Sequence, residues 1–243
     1  MAKSTASTRV EGVGDGLQPP HLFEEAPRYA GLRAWSSGLL VLKGSTMSHR
    51  AIAASLTLTG LSTGERLVVF ALASFANREQ RAWPGTRLAA TRAGLSKSQY
   101  LAGLRALADR RLVEIEESGG GRARSALIRL AFVEDRVPVE LDVNARLFEV
   151  VLSAGSTKGS ARVLLAVLAA LADADGVIAG VTVDALCETA GLSERTYRRA
   201  RAELISTAMV ELSESGGGRG RANRWRVVDP SKGPDIPIRT SSR

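Results

Sequence analysis

The stretch that decides the fold is AGLSKSQYLAGLRAL, residues 93–107, because it returns in altered form as AGLSERTYRRARAEL at residues 190–204. The same offset of 97 residues relates ESGGGRAR at 117–124 to ESGGGRGR at 214–221. Self-similarity at a fixed offset indicates two copies of one structural unit. The segments 94–130 and 191–227 therefore define how the chain is organised.

Each copy predicts a helix, a tight turn, a second helix and then a hairpin. Gly94-Leu95-Ser96 forms the turn, and Ser96 with Gln99 three residues later is a capping-box pattern that predicts the start of a helix. After Arg111 the apolar period changes from about 3.6 residues to two, which predicts strands over 112–116 and 125–131. The second copy repeats the plan, with predicted helices over 182–190 and 193–207 and strands over 209–213 and 223–228.

A further helix is predicted ahead of each turn. Ser62 and Glu65 form another capping-box pattern, and an apolar face follows through about Ala76. Thr86 is the expected cap of the short helix that ends at Arg92. In the second copy the corresponding first helix is expected over 160–172.

These patterns predict two domains separated by a short connection. The expected divisions are a flexible N-terminal extension over 1–47, a first domain over 48–133, a linker over 134–156, a second domain over 157–229 and a flexible tail over 230–243. Residues 48–58 fit a helix or an extended segment equally well. A linker of this kind would raise the local concentration of the second domain once the first is bound. Met47 precedes the first well-defined element, which raises the hypothesis that translation starts there.

The charge balance points to a polyanionic partner. The chain of 243 residues has a formal net charge of +8 and an ordinary hydrophobic content of 44%. Residues 61–133 hold 12 Lys and Arg against 6 Asp and Glu, whereas residues 145–229 hold 11 against 10. A basic balance of this kind favours nucleic acid as a partner.

Metal, cofactor and enzyme functions find little support in the residue types. Cys187 is the single cysteine, and both histidines, His21 and His49, lie outside the repeated segments. No phosphate-cradling loop, paired-histidine metal motif or serine nucleophile elbow is present, and the GGGR run joins two strands instead of opening a helix. We therefore expect no cofactor, no metal and no catalytic activity.

The longest apolar stretch, residues 163–181, is interrupted by Asp173 and Asp175, which argues against a membrane span. The expected location is the cytoplasm, in association with the nucleoid. This expectation follows from the basic charge together with the lack of a secretory signal pattern.

The order helix, helix, Gly-Leu-Ser turn, helix and hairpin resembles a winged helix-turn-helix domain. In the first copy ERLVVFALASFANRE, RAWPG, AGLSKSQYLAGLRAL and the hairpin resemble the winged-helix modules of bacterial and phage replication-initiator-like proteins and related regulators. The second copy resembles the module more loosely, since it lacks the Trp-Pro-Gly turn. The resemblance covers residues 62–131 and 157–228. It implies a mainly α fold with small β-hairpins, in the α+β class, built as two tandem winged helix-turn-helix domains.

Helical spacing identifies the residues that face outward on the last helix of each copy. If Tyr100, Leu104 and Leu107 face the core, the opposite face is free to enter a major groove, where Gln99 suits adenine and Lys97 or Arg105 suits guanine or phosphate. Arginines that follow the glycine run would reach phosphates or a narrow minor groove. The candidate DNA-binding residues are Lys97, Ser98, Gln99, Arg105, Arg122, Arg124, Arg195, Thr196, Arg198, Arg199, Arg219, Arg221 and Arg224.

Three functions fit this pattern. The first is a transcriptional regulator that binds specific sites in double-stranded DNA, as an asymmetric site for a monomer or a composite palindrome for a homodimer. The second is a plasmid or phage replication initiator that binds origin repeats, and the third is a tandem winged-helix protein-interaction module of the chromosome-segregation type. The partners expected beside DNA are a second copy of the chain or the replication or transcription machinery. The alternative is that the basic helix faces are merely solvated.

Overall fold

The structure, a computed structural model, describes residues 48–117, 125–133, 141–214 and 224–230. These residues contain eight α-helices, one 3-10 turn at Ala131–Val133 and six short strands. The helices are α1 (His49–Thr57), α2 (Thr63–Phe75), α3 (Thr86–Ala93), α4 (Lys97–Asp109), α5 (Ala145–Ala154), α6 (Gly159–Leu171), α7 (Val183–Ala190) and α8 (Glu194–Ser206). The strands are β1 (Arg81–Ala82), β2 (Glu114–Glu117), β3 (Leu127–Arg129), β4 (Val177–Ile178), β5 (Val210–Glu214) and β6 (Arg224–Val227). The expected α+β class with small sheets is confirmed.

The duplication extends through the whole described part of the chain. The order α1-α2-β1-α3-α4-β2-β3 recurs as α5-α6-β4-α7-α8-β5-β6, and equivalent elements begin 96 or 97 residues apart. We call residues 48–133 the first repeat and residues 141–230 the second repeat. Each repeat therefore begins with a helix, α1 or α5, that lies upstream of the similarity visible in the sequence.

Helix α1 resolves the choice that the sequence left open for residues 48–58. Ser48 caps it, since the Ser48 hydroxyl oxygen accepts the Ala51 backbone N–H at 3.1 Å. Residues Ala51 to Leu56 are buried. A helix is favoured because it buries the apolar residues of this segment against the rest of the protein at the same time.

Helix α5 occupies part of the segment expected as a linker over 134–156. Asn144 caps it by accepting the Leu147 N–H at 2.9 Å, and Phe148 is completely buried. The Phe148 ring meets the Phe70 ring of α2 edge to face, with centroids 5.5 Å apart. Residues 145–154 are thus a packed helix rather than a tether, because their apolar side chains complete the core. Residues 134–140, 1–47 and 231–243 lie outside the described residues.

Each repeat carries a three-stranded antiparallel sheet, in the order β1-β3-β2 or β4-β6-β5. The hairpin pairs β2–β3 and β5–β6 match the strands expected from the sequence. The two-residue strands β1 and β4 were not expected, and they pair with the returning strand of each hairpin. In β6, Trp225 and Val227 are buried, while Arg224 and Arg226 are exposed.

Two of the three expected helix caps are confirmed. The Ser62 hydroxyl accepts the Glu65 N–H at 3.3 Å, and the Ser62 N–H donates to the Glu65 carboxylate at 2.7 Å. Ser96 and Gln99 form the same reciprocal pair at the start of α4. The expectation for Thr86 is wrong, since helical backbone begins at Thr86 itself and leaves Gly85 as the capping residue, without a side-chain bond.

The two central helices, α2 and α6, are buried on nearly all sides. Every residue from Ala161 to Ala170 is buried in α6, as is every residue from Arg66 to Ser74 in α2. A helix that is apolar around its whole circumference must be covered from every direction. The covering elements come from both repeats, and all described residues belong to one compact unit.

Two buried arginines, Arg66 in α2 and Arg162 in α6, occupy equivalent positions 96 residues apart, and each is 1% exposed. The Arg66 guanidinium donates to the Thr189 carbonyl of the second repeat at 2.8 Å and to the Leu58 carbonyl at 2.9 Å. Burial lowers the pKa of Arg66.

Arg162 likewise donates to carbonyls of both repeats. It donates to the Arg92 carbonyl of the first repeat at 2.7 Å and to the Leu152 and Thr157 carbonyls of its own repeat at 2.5 and 3.0 Å. Burial, followed by repulsion from Arg92, lowers the pKa of Arg162 to about 10, so the group is a cation at neutral pH.

We predict that Gly191→Ala lowers the free energy of unfolding more than Gly180→Ala does. Both glycines have left-handed backbones, with φ of +61° and +77°, so both substitutions incur strain of about 1 kcal/mol. A Cβ at Gly191 would lie 2.7 Å from the Arg66 guanidinium, whereas a Cβ at Gly180 would have no neighbouring atom of the described residues within 4 Å. Overpacking adds roughly 1–3 kcal/mol for Gly191→Ala alone. Urea denaturation measures both losses, and equal losses would contradict the buried contact.

Candidate nucleic-acid interface

The same tight turn joins the last two helices of each repeat. Gly94 and Gly191 adopt left-handed φ angles of +67° and +61°. In the first repeat the Leu95 N–H donates to the Ala90 carbonyl at 2.9 Å, and in the second the Leu192 N–H donates to the Cys187 carbonyl at 2.9 Å. This hydrogen-bond pattern ends a helix and redirects the chain, which is why glycine occupies the position.

Helix α4 buries one face and exposes the other, as the spacing predicted. Tyr100, Leu104 and Leu107 lie inward, with exposures of 2%, 6% and 0%. The opposite face is solvent-exposed and consists of Lys97, Ser98, Gln99, Ala102 and Arg105.

Helix α8 has the same arrangement with different exposed residues. Tyr197, Ala200 and Leu204 are buried. The outward residues are Glu194, Arg195, Arg198, Arg199 and Ala202, while Thr196 is half-buried. The structure therefore places short or basic side chains on both helices where a groove could receive them.

Several candidate residues at the helix starts are already hydrogen-bonded. The Gln99 side-chain oxygen accepts the Ser96 N–H at 3.0 Å, and the Ser98 and Ser96 hydroxyls lie 3.1 Å apart. The Thr196 hydroxyl lies 2.8 Å from the Ser193 hydroxyl. Gln99 thus stabilises the start of α4, and the paired contact with adenine that the sequence predicted would compete with this bond.

The cations on the two helices differ in how they are paired. Arg198 forms an exposed ion pair with Glu194, one turn earlier on α8. Within the described ranges no ion pair is formed by Lys97, Arg105, Arg195 or Arg199. These four side chains are therefore the ones most available to an external anion.

Helix α8 is tied to its own sheet by an aromatic contact. The Arg201 guanidinium lies 5.0 Å from the centre of the Trp225 ring, which is itself buried in β6. This contact joins α8 to β6, and it withdraws Arg201 from the outward face.

Four of the predicted hairpin residues, Arg122, Arg124, Arg219 and Arg221, lie outside the described residues. Arg224 is exposed at the start of β6 and engages a partner in the structure.

The first sheet neutralises its own outward cations. Arg129 contacts Glu114 at 2.6 Å and Arg81 contacts Glu116 at 3.0 Å, so these side chains are occupied within the sheet. Of these two surfaces in the first repeat, α4 therefore carries the unpaired cations Lys97 and Arg105, whereas Arg81 and Arg129 of the sheet are paired.

A shallow groove beside α4 contains one residue that the sequence analysis missed. The groove, of about 410 Å³, lies between the outer face of α3 and the first turn of α4. Its lining is Thr86, Arg87, Ala90, Thr91, Leu95 and Lys97. Arg87 is exposed there beside Lys97. The position of Arg87 in the first turn of α3 could have identified it from the sequence.

The family match to known proteins coincides with the helices of the second repeat described above. A family model described as a helix-turn-helix domain matches residues 158–207, which run from the start of α6 to the end of α8. This part of the second repeat is similar to a helix-turn-helix domain. No curated protein and no solved structure matches the chain. Because such domains place their last helix in the major groove of DNA, the match indicates binding to double-stranded DNA.

The described residues also show no membrane-spanning helix and no cluster of metal-binding side chains. No helix in them has both the length and the apolar character needed to cross a membrane. Their His, Cys, Asp and Glu side chains form no group of three or more placed to hold a metal ion.

We predict that the Tyr100 phenol makes the fold sensitive to alkaline pH. Burial raises the pKa of Tyr100 to about 12, whereas a tyrosine in an unfolded chain titrates near 10. The folded state holds this proton more tightly, so its contribution to stability is complete below about pH 10 and is lost as the pH rises toward 12. The loss is on the order of 2–3 kcal/mol.

Chemical denaturation of the natural chain and of Tyr100→Phe at pH 8 and pH 11.5 would measure this effect. The variant should lose less stability between the two pH values. Burial also raises the pKa of Tyr197, so Tyr197→Phe is the matched comparison in the second repeat. An identical loss in the natural chain and in Tyr100→Phe would exclude Tyr100 as the source.

Proposed function

We propose that this chain is a sequence-specific double-stranded DNA-binding protein, a transcriptional regulator that reads DNA with two winged helix-turn-helix repeats. The main support is that the chain has two exposed, basic helices, α4 and α8. Each follows a turn with a left-handed glycine and begins at a serine cap. The helix-turn-helix match over 158–207 supports the assignment in the second repeat.

The side chains suit contact with base edges and phosphates. A major groove about 12 Å wide admits one helix, and Ala102 and Ala202 allow the helix backbone to approach closely. Arg195 and Arg199 are four residues apart and share a face of α8, where each guanidinium can bond guanine through two atoms. Lys97 and Arg105 take the corresponding roles on α4.

The two helices should read different sequences. The first turn of α4 carries Lys97-Ser98-Gln99, whereas the first turn of α8 carries Glu194-Arg195-Thr196. A glutamate is repelled by phosphate and can accept a hydrogen bond from cytosine, so Glu194 would favour a different base from Lys97. The bound site therefore consists of two unequal half-sites.

The hairpins complete the interface in this proposal. Arg122 and Arg124 in the first repeat, and Arg219 and Arg221 in the second, follow runs of three glycines. Side-chain-poor segments can approach the DNA backbone and deliver arginines to phosphates or to a narrow minor groove. These contacts would add affinity for every sequence and little specificity.

We predict that Arg105→Ala and Arg199→Ala each weaken binding to a selected duplex by about 1–3 kcal/mol, because each removes a cation that reads bases. Arg198→Ala should cost less, since Arg198 is already paired with Glu194. Fluorescence anisotropy with a labelled duplex measures the change. Arg146→Ala is the control, as Arg146 is exposed on α5, outside the two reading helices.

Negligible changes at both Arg105 and Arg199 would contradict the proposed interface. So would a loss at Arg146 as large as the loss at Arg199. Circular dichroism of each variant establishes that the fold is retained.

Salt dependence separates DNA binding from a protein-interaction role. Each phosphate neutralised by the protein releases counterions, so the logarithm of the association constant falls by about 0.9 per phosphate for each tenfold rise in salt. We predict a steep, linear fall for this chain across 50–200 mM salt. A flat response would favour the tandem winged-helix interaction module instead.

Replication initiation is the second candidate, since the initiator-like proteins that the first repeat resembles also carry two winged helices in one chain. Mapping of bound sites across the genome distinguishes the two roles. Binding at promoters supports regulation, whereas binding confined to short direct repeats beside an origin supports initiation.

A further inference from the structure

Each buried arginine holds the ends of two helices, one in its own repeat and one in the other. Arg66 bonds the carbonyl of Leu58, which caps the end of α1, and the carbonyl of Thr189 in the last turn of α7. Arg162 bonds the carbonyl of Leu152 in the last turn of α5 and that of Arg92 in the last turn of α3. Since helix C-termini carry partial negative charge, all four ends are suited to a cation.

These contacts are reciprocal. Arg66 and Arg162 are equivalent residues, and so are their partners Arg92 and Thr189, which are 97 residues apart. When residue i of one unit contacts residue j of the other, and j contacts i in return, the two units are related by a twofold axis. The two repeats therefore form an internal dimer with approximate twofold symmetry.

The arginines also lie against the turns that launch the exposed helices. A Cβ at Gly94 would lie 2.9 Å from Arg162, and a Cβ at Gly191 would lie 2.7 Å from Arg66. The turn before α4 thus packs against Arg162 of the second repeat, and the turn before α8 packs against Arg66 of the first repeat. Neither exposed helix can shift relative to the other repeat without disturbing a buried guanidinium.

We propose that Arg66 and Arg162 are positioning residues that hold α4 and α8 at one separation, so that a single chain reads an inverted pair of unequal half-sites at one spacing. The proposal rests on the proposed DNA-binding function. It follows from the twofold relation, since symmetry-related reading helices require half-sites of inverted polarity.

Other contacts between the repeats resist the same movement. The Arg92 guanidinium lies 4.2 Å from the centre of the Phe75 ring and forms an ion pair with Glu149 of α5 at 3.4 Å, with its side chain only 10% exposed. Phe70 and Phe148 pack across the same boundary. Separation of the repeats would expose these groups and remove one acceptor each from Arg66 and Arg162, which costs more than extending a flexible linker.

Spacing tolerance distinguishes a fixed pair from two tethered domains. A tethered pair loses affinity when the half-sites are rotated by a half-turn of DNA, and regains it when a full turn of about 10 base pairs is inserted. A rigid pair cannot follow the second half-site, which a full turn moves by about 34 Å.

The experiment uses the full chain and a duplex selected by it from a random library. The spacer between the half-sites is changed by −2, +2, +5 and +10 base pairs, and affinity is measured by anisotropy. We expect every change, including +10, to weaken binding by about 100-fold, to the level of one half-site. Recovery at +10 would overturn the positioning role while leaving DNA binding intact. Failure to select any duplex would overturn the proposed function and the positioning role with it.

A matched pair of double variants tests the two arginines themselves. Arg66→Lys with Arg162→Lys replaces each guanidinium by a shorter amine and so removes the forked hydrogen bonds. Arg50→Lys with Arg146→Lys is the control, because Arg50 and Arg146 are equivalent exposed residues on α1 and α5. The first pair should reduce the penalty of a two-base-pair change to below about 10-fold, and the control should leave it unchanged. Equal penalties in both would overturn the role of Arg66 and Arg162.

A DNA-free measurement keeps the proposal testable if the lysine variant is unstable. Spin labels at Glu79→Cys and Asp175→Cys, two equivalent exposed positions, are introduced with Cys187→Ser into the otherwise natural chain. Electron-electron double resonance should give a single narrow distance distribution. A broad distribution would overturn the fixed separation independently of any DNA result.

Discussion

A buried guanidinium must find hydrogen-bond acceptors, and this requirement constrains the whole arrangement of the two repeats. Within the part of the chain that the structure describes, Arg66 and Arg162 contact no carboxylate; they donate instead to backbone carbonyls at or near helix ends. In both arginines the Nε atom is buried without a hydrogen-bond partner among the described residues, so the two sites also leave the same donor unsatisfied. The positions of α3 and α7, and therefore of the turns and of α4 and α8, follow from where these carbonyls must lie.

The repeats share several inward residues, whereas the outward residues of α4 and α8 differ. Tyr100 and Tyr197, Leu107 and Leu204, and Val113 and Val210 are identical pairs, and all six are buried. The outward positions of α4 and α8 differ in charge and size, although both helices have thirteen residues and begin at a serine cap. One scaffold thus carries two surfaces of different chemistry, which is the property expected of a chain that reads two unequal sequences.

Local patterns predicted what depends on local contacts. The caps at Ser62 and Ser96 need partners only three residues away, and the inward face of α4 follows from helical spacing alone. Strands β1 and β4 were missed because two residues show no alternation and their partners lie far along the chain. Helix α5 was read as linker, although Leu147, Phe148, Val151 and Leu152 share one face and were a usable signal.

The inter-repeat contacts could not be predicted from either copy alone. A single arginine in an apolar helix is ordinarily assigned to its solvent side, so nothing local marked Arg66 or Arg162 as buried. The offset of 97 residues seen in the sequence pairs Arg66 with Val163, and only a shift of one residue to 96 pairs it with Arg162. The candidate hairpin arginines lie outside the described residues, and their contacts with DNA stay predictions.

The bond between Arg66 and Thr189 spans 123 residues, and this has a consequence for how the protein is made. When the first repeat emerges from the ribosome, the carbonyl that will receive Arg66 has not been synthesised. Until α7 is complete, Arg66 of the first repeat lacks one of its two carbonyl acceptors, and α2 lacks the helices of the second repeat that cover it. Chain completion and final folding are therefore coupled, and a truncated product that lacks α7 retains an open apolar surface of the kind that chaperones bind.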